Sequence, residues 1–318
     1  MRKKIHTVLG NIEPECAGFT QCHEHLLISR GKSYEINKAL YMADLDKSAE
    51  EVKHFLGKGG CTLVEAQPAG CNRMTDGLVQ IARDTGAHII ASTGFHKLEF
   101  YQKDHWIRSI GEKQLAQLFI SELMEGMYLD LDEKCHSRQQ KACAGILKTA
   151  LDSCNLSVDY ERLFRSAVRA HCETGAPMMV HIEKGSSPEK LAEELKKWEA
   201  DPGKIYFCHM DRACGDIETL KKVLDYGISL EFDTIGRFKY HSDVRELELI
   251  RQILDWGYEN QLLFSLDTTR ERLKTYTPKG VGLTYILETF LPAMRESGIT
   301  ERQIEKISVE NPARILAW

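Results

Sequence analysis

Short apolar runs, each followed by a polar or glycine-containing turn and then a helix-spaced pattern, recur along the chain. They occupy residues 18–22, 60–67 (GCTLVEAQ), 88–93 (HIIAST), 144–149 (AGILKT), 177–182 (PMMVHI), 204–209 (KIYFCH), 228–232 (ISLEF) and 262–266 (LLFSL). The runs are nearly continuous in apolar character, as expected of parallel strands covered by helices on one side. Between them, residues 44–56, 111–129 (broken at Gly126), 160–172, 189–198, 217–226 and 243–256 read as helices. A further helical segment ends at Gly86, and 284–295 and 300–307 form a helical tail. Gly86, Gly175, Gly227 and Gly257 follow the last turns of several helices, where a left-handed cap favours glycine. Eight strand and helix units predict an α/β fold, a (β/α)8 TIM barrel forming one domain over residues 1–318. A doubly wound open sheet is the competing arrangement, but no GxGxxG or GxxxxGK(S/T) follows any candidate strand.

Composition narrows the class further. The 318 residues are 42% hydrophobic and 28% charged, with 23 Gly and 8 Pro, which excludes collagen-like, low-complexity and largely disordered chains. Forty-two basic against 47 acidic side chains give a net charge of -5, so no nucleic-acid partner is expected. No stretch approaches the roughly 20 apolar residues of a membrane helix. The basic start, MRKK, lacks the apolar core of a signal peptide. A cytoplasmic protein without a membrane partner is expected. The ten cysteines are scattered singly, never as CxxC. In a reducing compartment most of them are expected to be small core residues, and a disulfide scaffold is the weaker reading.

Candidate chemistry gathers at the ends of the runs. His23-Glu24-His25 closes the first. Residues two apart on a strand share a side, so both imidazoles can face one mouth of the barrel while Glu24 points away. Imidazole suits zinc and its neighbours, but HxH alone is a weak signal. The fifth run ends near His181, the sixth at His209 and the eighth just before Asp267. In a barrel these ends converge on the C-terminal face. Each alone has an ordinary reading, a satisfied core histidine or a helix cap. Four such ends together favour a metal centre. Lys148 lies inside AGILKTAL, where an unpaired charge costs on the order of several kcal/mol unless the stem snorkels to the rim. Its ammonium has no lone pair for a metal, so a functional Lys148 must be neutralised, paired or modified.

After the seventh run come Thr234, Arg237, Lys239, Tyr240 and His241, and after the eighth Thr268, Thr269, Arg270 and Arg272. Loops there commonly bind phosphate in this fold. No run of large aromatics builds a greasy pocket, so a compact, polar, hydrolysable substrate is expected. Lys239 and Arg270 can reach one side of the mouth, and Tyr276 can supply a hydroxyl. The ordinary reading is that these are solvated loop charges.

Taken together, the sequence resembles the phosphotriesterase family, bacterial phosphotriesterase and its lactonase-like relatives within the metal-dependent amidohydrolases. The likeness rests on GFTQCHEHLLIS, AGILK, His181, FCH with Asp211, LLFSLDTT around Asp267, and SVENPARIL, in order over essentially the whole chain. It implies a distorted, amidohydrolase-like (β/α)8 barrel with two divalent ions per chain. His23, His25 and Asp267 would hold the buried ion, His181 and His209 the more exposed one, and Lys148, carboxylated by CO₂, would bridge them. Zn²⁺ is expected first, with Mn²⁺ or Co²⁺ accepted by the same ligands. A water shared by the ions would be the nucleophile, Asp267 would take its proton, and Asp211 and Arg212 would orient the rim. The resemblance implies a lactonase opening small sugar lactones, with or without a phosphate, and a homodimer. Alternatives are an organophosphate, phosphoester or amide hydrolase on the same site, and a non-catalytic metal-binding protein. One departure stands out. Many lactonase-like members read GFY after the third strand, whereas here Thr93-Gly94-Phe95 is followed by His96. Either His96 takes the tyrosine's place, or Tyr101 reaches in from the loop, or the contact is missing.

Overall fold

The eight apolar runs pair side by side in chain order in the computed structural model, which describes residues 3–135, 138–213 and 216–318. The barrel strands are β1 (Phe19–Glu24), β2 (Gly60–Glu65), β3 (His88–Gly94), β4 (Ile146–Leu151), β5 (Met178–Ile182), β6 (Ile205–Cys208), β7 (Ser229–Phe232) and β8 (Leu262–Phe264). Every neighbouring pair is parallel. Every residue of β1 and of β4 to β8 is buried, which explains the continuous runs: one side faces the barrel interior and the other the helices. The interior is filled by Val64, Ile90, Ile146, Met179 and Leu263, with Ile5 and Ile315 to Ala317 closing the lower end.

Seven helices cover the strands: α1 (Leu45–Gly57), α2 (Thr75–Thr85), α3 (Glu112–Met124), α4 (Val158–Thr174), α5 (Pro188–Lys197), α6 (Ile217–Asp225) and α7 (Asp243–Asp255). Asp44, Asp216 and Ser242 accept from backbone amides in the first turns of α1, α6 and α7. Helix α3 stops before Gly126, whose φ of 144° and closeness to the Gln140 carbonyl admit no Cβ. The tail is more broken than its periodicity suggests. Wider turns at Ile286–Phe290 and Lys306–Glu310 precede short helices at Leu291–Glu296 and Asn311–Leu316.

Two features close the barrel. Below, a small hairpin (Ile5–Thr7 with Gly10–Ile12) lies across the end, and Lys4 and Trp318 exchange backbone hydrogen bonds of 3.1 and 2.9 Å. At the seam between β8 and β1 a side chain replaces the ladder. The Glu24 carboxylate accepts from the amides of Leu266 (2.8 Å) and Thr268 (3.1 Å), and the Asp267 amide donates to the His23 carbonyl at 3.1 Å. The upper end stays open. The cysteines correct their expectation: nine are free, but only Cys22, Cys71 and Cys208 are buried, and Cys214 lies outside the described residues. Of the other described cysteines, Cys16, Cys154 and Cys172 are exposed and Cys61, Cys135 and Cys143 half-buried. No helix is long and apolar enough to cross a membrane among the described residues.

Candidate metal centre at the open end of the barrel

The open end holds a cavity of about 650 Å³ whose lining includes His23, His25, His96, His181, His209 and Asp267. Strand alternation carries His23 and His25 into it from β1. Their Nε2 atoms lie 3.7 and 3.6 Å from Asp267 Oδ1, so three potential donors face one small volume. Asp267 is aimed there from its other oxygen: Arg237 donates to Oδ2 at 2.7 Å and to the Asp267 carbonyl at 2.6 Å, and Arg212 stands 3.7 Å from Oδ2. Burial pushes the Asp267 carboxyl up, but Arg237 and Arg212 outweigh it and hold it below its ordinary value.

On the other side, His209 Nε2 lies 2.7 Å from His181 Nδ1. His209 Nδ1 faces Asp233 Oδ1 at 2.7 Å, and Asp233 Oδ2 accepts the His209 amide at 2.9 Å. With Nδ1–H donated to Asp233, the Nε2 lone pair of His209 points into the mouth, the usual way a carboxylate prepares an imidazole for a metal. Burial keeps His23, His181 and His209 below the ordinary histidine value, His181 at about 4, so all three offer neutral nitrogens near neutral pH. Among the described residues only five other than glycine have left-handed φ, and two are His209 (63°) and Asp267 (49°). Such backbone costs on the order of 1–3 kcal/mol and persists where its surroundings over-determine it.

Lys148 is 1% exposed, with Nζ 3.3 Å from His23 Nε2 and 3.2 Å from Met179 Sδ. Its strand approaches β3 so closely that a Cβ on Gly94 would overlap the Lys148 carbonyl. Glycine is required there, and it brings the amine to the floor of the mouth. The amine is thus buried between an imidazole and a thioether.

Two carboxylates escaped the sequence reading. Glu231 and Asp233 are both fully buried, and both approach His23 Nδ1, at 3.3 and 3.6 Å. Burial pushes Glu231 up to about 7 and Asp233 well above its usual range, with Asp211 and Glu231 adding to the latter. The signal was present as Glu-x-Asp at the end of the seventh run, the same spacing as His-x-His. Glu24, expected to point away, does so and closes the seam. Glu65 accepts the Leu26 amide at 2.6 Å and sits 3.4 Å from His25 Nδ1. Converging neutral imidazoles and carboxylate donors are chemistry that fits divalent cations.

The rim sorts the remaining candidates. His96 lines the cavity, its ring 5.1 Å from that of His181. Tyr101 does not line it; its hydroxyl accepts the His96 amide at 2.9 Å and supports the loop from behind. Lys239 lines the mouth, as does Lys279, which the sequence reading did not single out. Arg270 and Tyr276 are not lining residues. Arg270 is exposed between Thr269 and Glu271, which are. The Tyr276 hydroxyl is taken up by the Asp44 carbonyl (2.7 Å) and Ser48 (2.8 Å). Asp211 accepts the Thr234 amide at 2.6 Å, and Arg212 donates to the Tyr240 hydroxyl at 2.7 Å.

Comparison with known proteins agrees with this arrangement. The sequence model of the phosphotriesterase family matches residues 3–316. A phospho-furanose lactonase of Mycoplasmopsis synoviae (strain 53) is 31% identical over 334 aligned positions, covering 99% of this chain and 92% of that protein. The crystal structure of an amidohydrolase from Mycoplasma synoviae superposes with a TM-score of 0.94 at 29% identity, covering 100% of this chain and 92% of that one. A lactonase from Listeria monocytogenes gives 0.88 at 27% identity, covering 98% of each.

Proposed function

This chain belongs to the phosphotriesterase family, and on that premise we propose that it is a binuclear metal-dependent lactonase acting on a small sugar lactone that carries a phosphate. The observation that carries the reading is the convergence of His23, His25 and Asp267 with His181 and His209 at one open end, the buried Lys148 amine beside them. His23, His25 and Asp267 would hold the inner ion, and His181 and His209 the outer. Bound there, two divalent ions make a water acidic near neutral pH and polarise the substrate carbonyl. Zn²⁺ suits the ligands best, and Mn²⁺ or Co²⁺ fits them too. Lys148 would bridge as a carbamate. The amine, in its neutral form, would make an N–C bond to CO₂ and lose one proton, giving an anion with two donor oxygens.

Asp267 is oriented for proton transfer. Arg237 holds Oδ2, and Oδ1, which faces His23 and His25, would both hold the ion and, through its second lone pair, take a proton from water and return it to the departing ring oxygen. The lactone C–O bond breaks, water adds, and a hydroxy acid leaves. At the mouth, Lys239 and Lys279 are exposed and make no ion pair among the described residues, so both are available to a phosphate. The related phospho-furanose lactonase supports that substrate class. The test compares a pentono-lactone with its 5-phosphate on metal-loaded enzyme. A strong preference for the phosphorylated form in kcat/KM is expected, because remote binding positions the reacting carbonyl. Equal rates would end the phosphate assignment. Failure to open either lactone at two ions per chain would end the lactonase reading.

A further inference from the structure

Behind the rim, apart from the histidines of the mouth, a second group of ligand-type side chains comes together from three segments. Asp211 follows β6, His241 lies in the loop after β7, and Glu246 sits in the first turns of α7. One donor atom from each lies within 4.8 Å of the others. Glu246 is 0% exposed, yet neither of its oxygens accepts a hydrogen bond, and its Oε2 stands 3.1 Å from His241 Nε2. Asp211 is divided: Oδ2 accepts from the Thr234 amide and hydroxyl, whereas the buried Oδ1 accepts from nothing. Leaving buried carboxylate oxygens without a donor costs on the order of several kcal/mol.

We propose that Asp211, His241 and Glu246 form a third metal site, separate from the centre at the mouth, that binds a divalent transition ion. Ligands about 2.0–2.2 Å from one ion stand roughly 3 to 4.4 Å apart, close to the present separations. His241 Nδ1 lies 3.2 Å from the Ser242 carbonyl, and Nε2 faces both the Thr234 hydroxyl, at 2.9 Å, and Glu246 Oε2, at 3.1 Å, so it is the nitrogen that would turn to an ion. One imidazole and two carboxylates suit Mn²⁺ or Zn²⁺ better than Ca²⁺. A cavity of about 420 Å³, lined in part by Asp211 and His241, supplies an entry path and water for the remaining positions. Burial, with Asp211, Asp233 and Asp243 nearby, pushes the Glu246 carboxyl well above its usual range, and a bound cation would oppose that shift. An ion there would pin the start of α7 and the loop after β7 to the loop after β6. Those loops carry Arg237 and Arg212, which aim Asp267.

Crystals of the full chain grown with Mn²⁺ test the site by anomalous scattering, which reads each position separately. A peak enclosed by Asp211, His241 and Glu246 is expected, distinct from any at the mouth. Glu246→Gln should abolish that peak and lower the bound metal by one equivalent per chain, leaving the mouth occupied. His241→Gln, milder for the core, should do the same. An empty trio in the wild-type map overturns the proposal whatever the mouth contains, and so does a peak unchanged in either variant. An empty mouth beside a filled trio would instead sink the binuclear reading and leave the third site standing.

Discussion

His23, Lys148, His209 and Asp233 at the floor of the mouth are buried on strands or at strand ends, and protein atoms hold them from behind, whereas Lys239 and Lys279 at its rim are exposed on loops. At the floor, register and hydrogen bonding leave each group little room. Gly94 admits β4, Asp233 orients His209, and Arg237 orients Asp267. At the rim, long side chains stand in water and can meet whatever substrate arrives. The contrast suits a division in which the floor supplies the chemistry and the rim selects the substrate.

Substitutions should separate the two regions by size of effect. Lys148→Ala should have the largest, exceeding the roughly 10²-fold loss that an outer partner of a metal ligand can cause. Added short-chain carboxylates should restore part of the activity by occupying the vacated bridge. Density ending at an unmodified amine in a fully metal-loaded crystal would rule out the carbamate. Asp267→Asn comes next, with turnover falling at least about 10²-fold, the scale of a general acid–base contribution. Near-normal turnover at full metal occupancy would remove Asp267 from the proton path. Asp233→Asn should weaken metal binding about 10- to 100-fold through loss of the carboxylate that orients His209. Metal titration followed by calorimetry reads this directly, and unchanged affinity would show that His209 needs no such support.

Rim changes should be smaller and selective. Lys239→Ala is expected to lower kcat/KM about 10-fold on the phosphorylated lactone, the size of one charge-assisted hydrogen bond, and to leave the unphosphorylated lactone unaffected. A matching loss on both substrates would move Lys239 from phosphate binding to general support. The smallest effect belongs to Tyr276→Phe. It should cost about 1 kcal/mol of stability in denaturant unfolding, because the hydroxyl ties Asp44 and Ser48, and should leave kcat/KM unchanged. A selective loss on the phosphorylated substrate would instead place that hydroxyl at the mouth.

The apolar runs, the glycine caps and the spacing of His23 with His25 were legible because each depends on neighbours in the chain. Strand period alone puts two residues on one side, and a barrel brings strand ends to one face. What the linear pattern determined was therefore the fold and most of the ligand-type residues at the strand ends, Glu231 and Asp233 excepted. It could not say that Glu24 closes the seam against Leu266 and Thr268, because that bond joins the first strand to the last, 242 and 244 positions away. Nor could it decide between His96 and Tyr101, set five positions apart on one loop; only the packed loop turns the imidazole toward His181 and puts the phenol behind it. The same holds for Tyr276, a plausible hydroxyl donor in sequence and a partner of α1 in space. Local rules choose conformation and facing within an element, but the direction of a loop side chain depends on which distant carbonyl or carboxylate satisfies it. Tertiary structure alone made that choice here.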